Sequence, residues 1–286
     1  MRATGVTGRI DACRAELTRA ERRVAAVVAD DTEAVAFGTV ADVARRAGTS
    51  GATVVRLATR LGYDGFVGLQ GAVREEMARR LRPASERIRR PQPGDTVGAT
   101  LATELANVAT TLEGVDAGAF AEAVRLLSAP AVRGGRVFVL SGDASSGVAV
   151  LLATELRMLR PGVEHVSGSE VAVARALADV GPADVLVMID LARYDRLVLA
   201  TAERAAGRGA TVVALTDSAL SPVAAHARVS FTVSHASAGP FDSHVGMLAL
   251  ANALVAGVAA RRRGSATHRL DQVEAAWAEA AALVDG

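Results

Sequence analysis

Apolar residues over the first eighty positions recur every three or four residues. Leu17, Val24, Val27 and Val28 define one helical face, and Val40, Val43, Ala44 and Ala47 a second. Thr39 stands where an N-cap belongs, and Gly48 where a helix ends. Ser50 opens a third helix carrying Val54, Leu57, Ala58 and Leu61, which Gly62 closes, and a fourth is predicted from about Val67 to Leu81. Four short helices joined by tight turns make a small all-α domain. The pattern breaks at Arg89-Arg90-Pro91-Gln92-Pro93-Gly94-Asp95, which cannot continue a helix and has nothing to bury. Residues 1–90 and 91–286 are therefore read as two domains.

Beyond the break, helices are predicted at about Val97–Leu112 and Phe120–Leu127. Short apolar runs follow at Val137–Leu140, Val163–Val166, Val185–Ile189, Thr211–Leu215 and Val229–Val233. Segments of helical period lie between them, for example Val148–Arg160 and Leu197–Ala206. Continuous apolar strands alternating with helices predict an α/β domain, a parallel sheet covered on both faces. The tail is expected to be helical, with Met247–Ala259 buried, Leu270–Val284 amphipathic and Trp277 a packing anchor.

Composition narrows the class. Half of the 286 residues are apolar, enough for a sizeable core. One cysteine, Cys13, makes neither an internal disulfide nor a cysteine-based zinc site, which excludes a disulfide-stapled secreted fold. The polar start, Met1–Arg9, predicts no signal peptide, and no apolar run is long enough to span a membrane. A cytoplasmic protein is expected. Lysine is absent. Residues 1–92 hold 17 arginines against 11 acids, whereas the rest hold 15 against 20. A basic front and an acidic rear point to a front domain that meets a polyanion.

Val40–Leu61 has the spacing of a helix-turn-helix. Ala44 falls where the two helices cross, and Gly48 supplies a left-handed turn at little steric cost. The second helix presents its N-terminal residues to base edges in the major groove. Ser50, Gly51, Ala52, Thr53, Val55 and Arg56 are the candidates, and Arg56 suits a two-pronged contact to guanine. A phosphate contact or a salt bridge with Asp42 is the alternative for Arg56. Thr39, Arg45, Arg46 and Arg60 are placed at phosphates, and Arg79-Arg80-Leu81-Arg82 is either a further contact or a solvated helix end.

Three strings carry a resemblance: Thr39-Val40-Ala41-Asp42-Val43-Ala44, Gly48-Thr49-Ser50-Gly51-Ala52-Thr53-Val54-Val55-Arg56-Leu57 and Leu61-Gly62-Tyr63-Asp64-Gly65-Phe66. Together they resemble the N-terminal domain of the RpiR family of bacterial transcriptional regulators. In the last string, turns at Gly62 and Gly65 let Tyr63 and Phe66 pack under the fourth helix. The resemblance implies a C-terminal sugar isomerase (SIS) domain, a flavodoxin-like three-layer αβα sandwich that binds phosphosugars at the C-terminal ends of its strands.

Three loops are expected at those ends, where helix N-termini attract anions. Ser141-Gly142-Asp143-Ala144-Ser145-Ser146 offers Ser141, Asp143, Ser145 and Ser146 to a phosphate or carboxylate, or simply a serine cap. Asp190-Leu191-Ala192-Arg193-Tyr194-Asp195 lacks the serine-rich loop of phosphosugar binders. Arg193 offers a planar fork to an anion, with Asp190 to orient it and Tyr194 beside it; an ion pair with Asp190 or Asp195 is the alternative. Asp217 lies in the third loop, whose Ser221-Pro222 starts a short helix, and Ser243 is placed to cap the helix after it.

His165, His226, His235, His244 and His268 are scattered, without a signature of a catalytic base. No catalytic residue, metal or cofactor is expected. The reading is a repressor that binds a palindromic operator in double-stranded DNA as a homodimer or homotetramer and senses a small anionic metabolite. A phosphosugar isomerase or phosphosugar-binding enzyme is the alternative.

Overall fold

The computed structural model describes residues 6–13, 16–81, 83–89, 94–129, 135–219 and 221–282. Arg82, Arg90–Pro93 of the expected linker and Val284 lie outside the described residues, as do the side chains of Arg79 and Arg80. The chain divides into two compact units, Met1–Pro83 and Ala84–Gly286.

The first unit is helical, with six α-helices among the described residues where the periodicity predicts four. They are α1 (Val6–Cys13), α2 (Arg19–Asp30), α3 (Thr32–Phe37), α4 (Val40–Ala47), α5 (Gly51–Arg60) and α6 (Gly65–Leu81). The additional ones, α1 and α3, are too short for a periodic signature. Capping fixes the starts: Thr18 and Glu21 form a capping box on α2, and Thr39 and Asp42 another on α4. Gly48 ends α4 at φ 58, the left-handed backbone that glycine adopts freely. Val24, Val43, Val54, Leu57 and Leu69 are fully enclosed in one core.

The second unit opens on α7 (Ala84–Arg87), α8 (Thr96–Glu113) and α9 (Ala117–Leu127). Then β1 (Val137–Ser141), α10 (Ser146–Leu159), β2 (Val163–His165), α11 (Glu170–Ala176), β3 (Val185–Asp190) and α12 (Arg196–Gly207) alternate. The chain continues through β4 (Thr211–Thr216), β5 (Val229–Thr232), α13 (Val245–Arg261) and α14 (Arg263–Glu279). All five strands are parallel, in the order β2-β1-β3-β4-β5. Both faces are covered. Val137, Val139, Val185, Val187 and Ile189 point into a core shared with α9, α10 and α13. Their neighbours Phe138, Leu140, Leu186 and Met188 point into a second core with α11 and α12. That double burial is why the strands read as continuous apolar runs.

Trp277 departs from expectation. It is 38 % exposed, and Ala266 is the only buried residue of α14 among those described. Arg160 is the reverse case, 1 % exposed at the end of α10. Its guanidinium donates to the carbonyls of Leu127 (2.9 Å), Gly135 (2.6 Å) and Pro161 (3.0 Å). Burial, together with Arg262, lowers its pKa to about 10. Arg160→Met strands those three carbonyls and should destabilise the second unit by about 2–4 kcal/mol, the relief of a buried charge offsetting part of the loss. Urea unfolding followed by the fluorescence of Trp277, the single tryptophan, measures it.

Candidate functional site

Two surfaces carry candidate chemistry. The first is α5, which the turn at Gly48 sets across α4. A Cβ at Gly51 would lie 3.0 Å from Val40 Cγ1, so the start of α5 packs on the start of α4. Gly51 is accordingly half-buried, whereas Ala52, Val55, Arg56 and Thr59 form an exposed stripe. Thr59 extends that stripe beyond the residues expected from the sequence. Thr53 corrects an expectation. It is 4 % exposed, and its hydroxyl meets Ser50 Oγ at 3.1 Å and accepts from Arg56 Nη2 at 3.1 Å. Thr53 thus positions Arg56 and does not itself face outward. Ser50 stands at the N-cap without a side-chain bond to the backbone, since its hydroxyl is turned to Thr53.

The arginines differ in what holds them. Arg45 pairs with Asp42, whose carboxyl sits at about 2, held down first by hydrogen bonds from the side chain and backbone of Thr39 and then by Arg45. Arg46 pairs with Asp31 at 3.0 Å, and Arg60 with Glu21 at 3.4 Å. Arg56 is in no salt bridge among the described residues, so the pair with Asp42 weighed from the sequence is not formed. The glycine–aromatic string behaves as expected. Gly62 (φ 81) and Gly65 (φ 61) turn the chain, Phe66 is buried, and Arg9 stacks 4.6 Å from the Tyr63 ring while donating to Leu61 O.

The second surface is a crevice at the C-terminal ends of β1, β3 and β4. The connection after β1 leads to α10 on one face of the sheet, and that after β3 to α12 on the other. Such a reversal opens a gap between neighbouring strand ends. Gly142 and Asp190 pack directly against each other there: a Cβ at Gly142 would fall 2.6 Å from Asp190 Oδ1, and the Gly142 amide donates to Ile189 O at 3.0 Å. A single turn of 3₁₀ helix, Asp143–Ser145, then leads into α10. Asp143 and Ser146 are exposed and Ser141 is half-buried, whereas Ser145 is enclosed with its Oγ 3.2 Å from His244 Nε2.

Asp190 does not orient Arg193. Its two oxygens accept from the backbone amides of Leu191 (3.0 Å) and Asp195 (2.7 Å). Burial raises its pKa to about 6; those two bonds oppose the rise, and the charges of Asp195 and Asp217 add to it. Arg193 is exposed, forms no described pair with Asp190 or Asp195, and takes a left-handed backbone at φ 72 that L residues with a Cβ seldom adopt. Tyr194 turns the other way and donates to Asp217 Oδ1 at 2.9 Å. The loop after β5 completes the wall. His235 Nε2 lies 3.9 Å from Asp217 Oδ2, and its Nδ1 lies 3.4 Å from Asp242 Oδ1. Sequence reasoning assigned no role to His235 or His244, because their partners lie 18 and 99 positions away and no local motif links them. Ser243 does accept from the Val245 amide (3.2 Å) and also donates to Glu104.

The Asp190 environment has a pH consequence. A carboxyl whose pKa is higher folded than unfolded holds its proton longer in the folded state. The protein therefore loses stability as pH rises from about 4 through about 6. In Asp190→Asn that contribution is missing. The stability difference between variant and wild type should shift in the variant's favour by about 2–3 kcal/mol between pH 4 and pH 7. Urea titrations of both proteins across that range measure it.

Comparison with known proteins places both units in a family. Residues 4–80 match the family model of the helix-turn-helix domain, rpiR family, and residues 133–257 match the SIS domain. The sugar isomerase domain of an RpiR transcription factor from Sphaerobacter thermophilus is 29 % identical, with a TM-score of 0.55 over 61 % of this chain and 96 % of that one. The Vibrio vulnificus NanR protein, solved with ManNAc-6P, is 21 % identical, with a TM-score of 0.55 over 96 % of this chain and 98 % of that one. A Bacteroides fragilis protein described as a phosphosugar isomerase involved in capsule formation is 18 % identical, with a TM-score of 0.50 over 61 % and 95 %. None of the curated proteins compared matches the chain. With an rpiR-type helix-turn-helix at its front and a SIS domain behind it, the chain belongs to the RpiR family of bacterial transcriptional regulators.

Proposed function

We propose that this protein is a cytoplasmic repressor that binds double-stranded DNA through residues 1–90 and senses a small anionic metabolite through residues 91–286. The observation that carries the DNA reading is the exposed face of α5, with Arg56 held by Thr53 and free of a described carboxylate. Arg56 reads a guanine edge, flanked by Ser50, Gly51, Ala52 and Thr59. Arg45, Arg46 and Arg60 exchange their carboxylate partners for phosphates, with Thr39 beside them, which supplies affinity and register without sequence choice. Two copies, spaced by about one turn of DNA, 34–36 Å, read the halves of a palindromic operator. Exposed apolar side chains on α8 support assembly of copies: Val97 is 81 % exposed, Leu101 60 % and Leu105 63 %.

The crevice takes the effector, and ManNAc-6P bound to NanR makes a sugar phosphate the first class to try. Its anionic end meets Ser141, Ser145, Ser146 and the N-terminus of α10, with Arg193 at the mouth. Its hydroxyls meet Asp217, Tyr194 and Asp190, and Asp143 lines the rim. No residue is assigned a catalytic role. Sequencing the fragments bound from sheared genomic DNA gives the operator. A panel of sugar phosphates, ManNAc-6P included, is then titrated against the operator complex and assayed for turnover. Turnover without any effect on DNA binding would replace this reading with the isomerase.

Arg56→Ala should cost about 1–3 kcal/mol on the operator and much less on random duplex. Arg46→Ala should weaken both alike and lower the salt slope by about one unit. Fluorescence anisotropy at several salt concentrations separates the two. Arg193→Ala and Ser145→Ala should keep operator affinity while blunting the response to the active sugar phosphate about tenfold or more, read in the same titration.

A further inference from the structure

The short helix α7 begins the second unit directly after Pro83, so it is the first segment of that unit after the helix-turn-helix unit. Four residues cannot hold a helix by hydrogen bonding alone, and α7 buries none of its own. Ile88, just after it, is 60 % exposed. Among the described residues, a long-range contact grips the segment. The Arg87 guanidinium donates twice to the Asp242 carboxylate, at 2.6 and 3.3 Å, across 155 positions. Asp242 lies in the loop between β5 and α13 that also walls the crevice, and it shares its Oδ1 with His235. The other side of the imidazole faces Asp217 Oδ2, on a carboxylate that also accepts from Tyr194. Asp242 itself is held well below the usual carboxylate range. Burial pushes it up, but the bonds and charges of His235 and Arg87 outweigh that.

A line of polar groups therefore runs from the crevice to α7: Tyr194, Asp217, His235, Asp242 and Arg87, hydrogen-bonded except for the 3.9 Å approach of His235 to Asp217. The Arg87 end is not fully satisfied, since Nε is enclosed without a hydrogen-bond partner among the described residues. A partly buried ion pair of this kind sits near balance between desolvation and attraction, so the loss of one neighbour is enough to tip it.

We propose that Arg87, Asp242 and His235 form a latch on α7 that the occupant of the crevice loosens by engaging Asp217. The proposal rests on the reading of the crevice as the effector site. An occupant that binds Asp217 removes one of the two carboxylates between which His235 stands. The imidazole then loses its orientation, Asp242 loses its second partner, and Arg87 holds α7 less firmly. Ligand and DNA affinities become coupled because each favours a different state of the same latch.

The test uses the full chain without ligand or DNA, so its outcome is independent of whether either binds. The Ile88 amide, which donates to Ala84 O at 2.9 Å, is the reporter. Its hydrogen exchange should speed up about fivefold in Asp217→Asn and in His235→Gln, and more in Arg87→Gln. In the Arg87→Gln background, Asp217→Asn should add nothing. Exchange in β3 confirms that each variant is folded; if Asp217→Asn disturbs it, His235→Gln carries the same comparison. Unchanged Ile88 exchange in the single variants, or an equal acceleration with and without Arg87, overturns the latch. Failure to bind duplex DNA or any sugar phosphate overturns the functional reading instead, and the anisotropy titrations show that separately.

Discussion

The crevice depends on two adjacent parallel strands whose connections leave the sheet toward opposite faces. Beyond those strand ends, side chains decide what the region becomes. Gly142 lets the loops after β1 and β3 approach closely, because any Cβ there collides with the Asp190 carboxylate. Asp190 is in turn fixed by two backbone amides from its own loop. Ser145 meets His244 and Asp217 accepts from Tyr194, and α10 and α12 bury their faces against opposite sides of the sheet.

Charge in the crevice is arranged so that acids are held apart by amides, a phenol and imidazoles. Asp190 has its pKa raised to about 6 because burial outweighs its two hydrogen bonds, whereas Asp242 is driven the other way by His235 and Arg87. Two carboxyls in one region thus differ by several pH units, and the direction follows from whether the partner is a neutral amide or a cation.

In the helix-turn-helix unit the same physics separates arginines by their neighbours. Arg45, Arg46 and Arg60 each have a carboxylate at hand, which offsets part of their charge. Arg56 is instead braced by a buried threonine hydroxyl, a neutral partner that sets direction without cancelling charge. Thr53 earns its place at that position by what it holds.

Local rules sufficed for much of this protein. The apolar runs marked all five strands to within a residue or two, and the Thr39 cap and the Gly48 turn were legible because they involve neighbours three or four positions apart. Short α1, α3 and α11 escaped notice. The crevice was foreseen as three loops, from Ser141, Asp190 and Asp217, but their pairings were not. Asp190 chose backbone amides over Arg193, and Tyr194 chose Asp217. The pairings of His235, His244, Asp242 and Arg87 were not legible either. The sequence by itself determined the secondary structure and the order of the domains, because hydrogen bonding and capping act within a few residues. Only the tertiary structure decided which side chains share a carboxylate, because partners such as Arg87 and Asp242 meet solely when the sheet and its loops have closed.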